Sequence, residues 1–211
     1  MPETITPIEA RILGALVEKQ LTTPEYYPLT LNALVNACNQ KNNRDPVMSL
    51  SENEVSNALE HLRDRNLVYI FYGSTSRVPK YKHMLPTYYE LEPSDVALIA
   101  VLMLRGPQTL GELRERTSRM HEFSGLDEVQ QTLNALAARE NPLVLRLERL
   151  PGQKDARFAQ LLTGPVDIDA LAVTYPTRAQ ATESANERIA KLEAEIEQLK
   201  NEFAEFRKQF E

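Results

Sequence analysis

The side chains able to do chemistry in this chain are mostly amides and cations. Residues 39–44 read Asn39-Gln40-Lys41-Asn42-Asn43-Arg44. Such a run can hydrogen-bond base edges or phosphates, and it can equally build tight turns and cap helices. Asn53, Asn57, His61 and Arg63 follow in a stretch whose apolar positions Val55, Leu59 and Leu62 share one helical face, which leaves the polar set to solvent. Arg77, Lys80 and Lys82 then stand in a segment, residues 65–89, that contains no Asp or Glu. Cations without neighbouring acids suit the neutralisation of phosphates. The expected nucleic-acid contacts are therefore Gln40, Lys41, Asn43, Arg44, Asn53, Asn57, His61, Arg63, Arg77, Lys80 and Lys82. Glu52, Glu54, Glu60 and Asp64 have the wrong sign for phosphate, so the helix that carries them is a weaker reader than the loop before it or the hairpin after it.

Other chemistries lack their motifs. No Walker phosphate loop, GxGxxG, HExxH, GxSxG or CxxC is present. His61, His83 and His121 sit in unrelated contexts without metal-ligand spacing, so no metal, cofactor or enzymatic role is expected. The single cysteine, Cys38, lies on an apolar helix face and reads as a small buried hydrophobe. Arg119-Met120-His121-Glu122-Phe123 invites a ligand-site reading, but no catalytic set accompanies it, and packing by Met120 and Phe123 is the simpler account.

Helices and hairpins must position these groups. Thr6-Pro7-Ile8-Glu9 joins a capping box to a proline at the first helical position, and predicts a helix reaching about Lys19. Leu31, Leu34, Val35 and Cys38 share the face of a second helix, and Ser51 with Glu54 forms the capping box of a third. Residues 67–72, the turn residues Gly73-Ser74-Thr75-Ser76 and residues 77–82 read as a hairpin. Helix, helix, helix, hairpin is the order of a winged helix-turn-helix.

The order then recurs. Glu92-Pro93-Ser94-Asp95 opens a helix closed by Arg105-Gly106-Pro107, Thr109 opens a second, residues 126–139 supply a third, and residues 143–147 and 157–161 make a second hairpin. The offset between copies is 86 at Pro7 and Pro93, 79 at Thr30 and Thr109, and 74 along the third helices. The difference is taken up mostly by connecting loops, which tolerate changes of length.

After a linker the spacing becomes a strict heptad. Ile189, Ile196, Phe203 and Phe210 fall at a positions, with Ala185, Leu192, Leu199 and Phe206 at d. In a parallel pair, Arg188 would face Glu193, Glu195 would face Lys200 and Glu202 would face Arg207. Ile189, Leu192, Ile196, Leu199, Phe203 and Phe206 are the expected dimerisation residues. The plainer rival is an amphipathic helix folded back on its own chain.

The chain has 211 residues, 24 Lys+Arg and 30 Asp+Glu, for a net charge of −6. This balance argues against a protein that coats nucleic acid nonspecifically, although not against a local basic patch. Residues 1–90 and 91–164 each hold 9 basic and 10 acidic side chains, and residues 165–211 hold 6 and 10, so most of the acidity is in the tail. No charged n-region followed by an apolar stretch opens the sequence. The longest wholly apolar run, residues 96–104, is too short to span a bilayer, so a cytoplasmic protein without membrane contact is expected.

Several longer strings carry a family resemblance. Leu16-Val17-Glu18-Lys19-Gln20, Thr22-Thr23-Pro24-Glu25, Tyr27-Pro28-Leu29-Thr30-Leu31-Asn32-Ala33-Leu34, Ala37-Cys38-Asn39-Gln40-Lys41 and Pro46-Val47-Met48 resemble the YceH family of bacterial proteins. Arg105-Gly106-Pro107-Gln108-Thr109, Gly111-Glu112-Leu113-Arg114 and residues 119–123 are similar to its second half. The resemblance covers about residues 5 to 160 and implies a tandem winged-helix architecture with no established biochemical activity.

The expected fold is mainly α with small β-hairpins, an α+β chain. It comprises a first winged-helix domain (1–90), a second (91–163), a linker (164–179) and a coiled-coil-like heptad helix (180–211). The expected function is binding of double-stranded DNA, regulatory in kind, by a parallel dimer. The alternative is a protein–protein interaction scaffold that binds no DNA, since winged helices also serve as docking modules.

Overall fold

The computed structural model describes residues 4–72, 78–149 and 154–167, together with Ile196 and Lys200. Helices begin where the sequence supplies caps. Thr6 Oγ1 accepts from Glu9 N at 3.2 Å while Glu9 Oε2 accepts from Thr6 N at 2.7 Å, and α1 (Pro7–Thr22) starts there with its proline at a position that needs no N–H donor. It runs to Thr22, beyond the expected Lys19. At this end the hydroxyls of Thr22 and Thr23 donate to the carbonyls of Glu18 and Lys19, and Thr23 N also donates to Lys19 O at 3.0 Å, which closes the last turn.

The first repeat continues with β1 (Leu29–Thr30), α2 (Leu31–Cys38), α3 (Glu52–Asp64), β2 (Val68–Phe71) and β3 (Lys80–His83). Thr30 caps α2 by accepting from Ala33 N, and Ser51 and Glu54 form the reciprocal box at the start of α3. Asn66 takes a left-handed φ of 58°, which asparagine tolerates better than most residues, and turns the chain from α3 into β2. A short helix the sequence reading did not anticipate, α4 (Leu85–Tyr89), leads to the second repeat. That repeat comprises α5 (Pro93–Arg105), β4 (Gln108–Thr109), α6 (Leu110–Thr117), α7 (Leu126–Ala137), β5 (Val144–Arg146) and β6 (Arg157–Gln160).

Each hairpin gains a third strand from the two residues that precede the repeat's second helix. The antiparallel sheets have the orders β1-β3-β2 and β4-β6-β5. Thr30 lies opposite Lys80 in one sheet, and Thr109 lies opposite Arg157 in the other. The copies also share a polar tie. Arg65 Nη1 donates to Thr4 O at 3.1 Å, and Arg139 Nη1 donates to Glu90 O at 3.3 Å. Thr4 and Glu90 are separated by the same offset as Pro7 and Pro93, so in both repeats the arginine after the third helix holds the segment that leads into the first.

The two repeats share one hydrophobic core and lie in one compact unit, Met1–Glu148 with Asp155–Val166. α5 is apolar on every side, and each residue from Val96 to Leu104 is buried, as expected of a helix enclosed by protein. It packs most extensively against α1. The contact is close: a Cβ on Gly14 would lie 2.8 Å from Leu104 Cγ and 3.3 Å from Met103 Cβ. The long apolar run is thus a core helix, and among the described residues no helix is long and apolar enough to cross a membrane. A second unit comprises Arg149–Lys154 and Asp167–Glu211. Of the expected dimerisation residues, Ile189, Leu192, Leu199, Phe203 and Phe206 lie outside the described residues, while Ile196 is helical and 52% exposed.

Candidate nucleic-acid interface

Residues 39–50 join α2 to α3, and most of their polar groups are engaged within the fold. Asn39 Nδ2 donates to Leu50 O, and Asn39 Oδ1 accepts from Leu50 N, both at 2.8 Å, so one amide closes the whole connection. Arg44 is not a surface contact. Its side chain is 0% exposed, and its guanidinium makes a two-pronged pair with Glu18 at 2.6 and 3.1 Å. It also donates to Ala37 O, Asn43 O and Gln40 Oε1. A buried cation requires this many acceptors to offset its lost hydration. Gln40 is thereby occupied. Asn43, at a left-handed φ of 62°, accepts from Arg105 of α5 through Oδ1. Asp45 N donates to Leu104 O at 2.9 Å, so the loop clasps the second repeat. Turn chemistry accounts for Asn39, Gln40, Asn43 and Arg44; Lys41 remains exposed.

Arg11, which the sequence reading passed over, completes the clasp. It is buried in α1 and donates to Cys38 O at 3.2 Å and Pro46 O at 2.6 Å. Burial and the nearby Arg44 lower its pKa from the ordinary value. An arginine among the buried residues of a helix was the available signal. Cys38 is buried as expected, and burial pushes its thiol up to about 12, so it is not a nucleophile near neutrality.

On α3, Asn53 and Asn57 are exposed one turn apart, and Arg63 is exposed near the other end. Glu54 does not stand free: its carboxylate accepts from Ser51 N at 2.8 Å and Ser51 Oγ at 2.6 Å, and those bonds hold its pKa below the ordinary value. His61 Nδ1 lies 3.7 Å from Glu9 Oε1 of α1, so it sits against its own repeat, although its side chain is largely exposed.

The hairpin offers a different surface. Tyr69 pairs across the strands with Lys82, and Phe71 with Lys80. Because strand side chains alternate, these four share one face, while Val68 and His83 turn inward. Tyr69 is 56% and Phe71 50% exposed, and Tyr72 and Val78 are exposed beyond them. Period-two alternation along residues 68–71 was the signal for this aromatic and basic face. Arg77 lies outside the described residues.

The second repeat shows why the first is the better phosphate surface. Arg157 occupies the position across from Thr109 that Lys80 occupies across from Thr30. Arg157 is neutralised by Glu112 at 2.9 Å, and Arg116 approaches the same carboxylate at 3.4 Å. At the offset of this helix, Ala33 stands where the second repeat has Glu112. Among the described residues Lys80 and Lys82 have no ion-pair partner.

A family model described as "Protein of unknown function, DUF480" matches residues 5–153. The chain belongs to this family. The DUF480 match covers the first repeat and the second as far as β5, and stops before β6 and the heptad segment. A UPF0502 protein of Geobacter sulfurreducens is 50% identical over 216 residues, covering 98% of each chain. A UPF0502 protein of Opitutus terrae is 54% identical over 167 residues, covering 79% of this chain and 73% of its own. A third, from Vibrio vulnificus, is 46% identical over 213 residues, covering 98% and 97%. The resemblance in the sequence is met at this level, a family of uncharacterised bacterial proteins.

Proposed function

We propose that the protein binds double-stranded DNA as a regulatory, non-enzymatic factor through its first repeat. The observation that carries this reading is the hairpin face on which Lys80 and Lys82 stand without acids beside the exposed Tyr69 and Phe71. The order of elements supports a winged-helix reading of each repeat, in which the third helix approaches a groove and the hairpin contacts the sugar–phosphate backbone. Asn53, Asn57 and Arg63 are then the base-edge and phosphate contacts of α3, with Lys41 beside them. His61, held near Glu9, contributes less, and Gln40, Asn43 and Arg44 act as the clasp that positions the loop. The heptad residues pair two copies in parallel and double the site.

The test is selection of bound fragments from a genomic DNA library, run beside a variant with Arg77, Lys80 and Lys82 all replaced by glutamine. Enrichment of fragments that is lost in the triple variant supports the reading, and no recovery at low salt overturns it. The scaffold reading draws on the same hairpin, because Tyr69, Phe71, Tyr72 and Val78 also form an apolar patch, and Glu52, Glu60 and Asp64 keep α3 acidic. A stoichiometric protein partner that survives nuclease treatment would favour it.

A further inference from the structure

Apart from Lys41, the DNA reading leaves the lining of a cleft between the two repeats unused. Its volume is about 650 Å³, within the size range of small-molecule sites. The walls are the C-terminal end of α1, residues 40–43 of the clasp, the end of α5 and the end of α6 with the residues after it. Five cations line it, Lys19, Lys41, Arg105, Arg116 and Arg119, against two carboxylates, Glu18 and Glu115. Glu18 is already bonded to Arg44, a sixth cation just behind the wall.

The plain account of such cations is that they complement helix C-termini, each of which carries about half a negative charge. Three helices end here, so about one and a half of the net three positive charges are answered in that way. Hydroxyls already serve several terminal carbonyls: Thr22 and Thr23 those of Glu18 and Lys19, and Ser118 that of Glu115. Among the described residues Lys41 and Arg119 are exposed and have no ion-pair partner. Positive charge is left over, and it converges from four segments of two repeats. Burial and the neighbouring Arg116 lower the pKa of Arg105, while Glu18 and Glu112 act the other way. Arg116 lies 3.4 Å from Glu112, a carboxylate it shares with Arg157, so one acid answers two guanidiniums. Val101, Leu104 and Met120 supply an apolar portion of the lining.

We propose that this cleft binds a phosphorylated small molecule of nucleotide size. Its anionic groups are held by Lys41, Arg105, Arg116 and Arg119, and its apolar body rests on Leu104 and Met120. Arginine forks suit phosphate oxygens, and the roughly one and a half positive charges left after the helix ends match a phosphoryl group, at about −1.5 to −2, better than a single carboxylate. Because the walls come from both repeats, occupation strengthens their contact whatever the hairpin binds, and the site does not depend on the DNA reading.

The test is calorimetric titration of the full chain with ATP, with inorganic pyrophosphate and with adenosine. Saturable binding of ATP, weaker binding of pyrophosphate and none of adenosine are expected. Lys41→Gln with Arg119→Gln, two exposed positions outside the packed core, should weaken ATP binding roughly tenfold or more, the loss expected from two charge-assisted contacts, at an unchanged thermal midpoint. Absence of ATP binding at millimolar concentration overturns the proposal, as does equal binding by wild type and double variant. Loss of duplex DNA affinity in the double variant without any ATP binding also overturns it, and assigns these cations to a nucleic-acid track.

Discussion

Replacing Glu18 by alanine removes the carboxylate that answers a guanidinium with 0% exposure. The charge of Arg44 stays largely buried, because the side chain is anchored by Ala37 O, Asn43 O and Gln40 Oε1. Stranding one partner of a buried pair costs about 3–5 kcal/mol. The remaining acceptors keep Arg44 partly satisfied and Glu18 retains some exposure, so the expected loss is about 3 kcal/mol, near the low end of that range. That is a large part of the roughly 5–15 kcal/mol that holds a domain together. Urea denaturation followed by circular dichroism should show the midpoint falling with little change in slope. Replacing the pair together, Glu18→Leu with Arg44→Met, should recover most of the loss, since no charge is then left buried. A cost below about 1 kcal/mol for Glu18→Ala, the value of a surface pair, would refute the clasp and return Arg44 to the candidate contacts.

Acid and packing give two further predictions. His83 is buried with neither ring nitrogen hydrogen-bonded among the described residues, and desolvation, followed by Lys82, lowers its pKa from 6.5 to about 4. The unfolded chain therefore takes up the proton first, and stability falls as pH drops from about 6.5 through about 4, by up to about 3 kcal/mol for this group. The difference in acid denaturation between wild type and His83→Leu should show that loss, and identical pH dependence would contradict it. At Gly14, alanine gains about 1 kcal/mol of helix propensity but forces a methyl against Leu104, at a cost of about 1–3 kcal/mol. A net loss of about 1 kcal/mol in thermal denaturation is expected; a stabilised variant would show that α1 and α5 have room to spare.

How much was legible follows the range of the interactions. The boxes at Thr6 and Glu9, at Ser51 and Glu54, and at Thr109 and Glu112 lie three residues apart, and each marks a helix start in the structure. The first hairpin was readable from a β-branched and aromatic run and the second from two short runs, each pair broken by turn residues. Strands β1 and β4 have two residues each, too short for any periodicity, and exist because Lys80 and Arg157 lie opposite them. The clasp was not legible. The same amides suit a base edge or a turn, and the outcome depends on Glu18, 26 residues from Arg44, and on Arg105, 62 residues from Asn43. The basic hairpin was visible as a segment without acids, but its aromatic partners required the register of Tyr69 with Lys82 and Phe71 with Lys80.

The central claim is that the first repeat binds duplex DNA through its hairpin cations, and the salt dependence of that binding tests it most directly. Fluorescence anisotropy of a selected duplex, titrated across salt concentrations, gives a slope of log affinity against log salt of about −0.9 for each phosphate neutralised. With Lys80 and Lys82 both changed to glutamine, the slope should become shallower by about 1.8 and affinity should fall across all sequences alike. Duplex binding of unchanged slope in that variant, or none by the wild-type protein at low salt, would contradict the account.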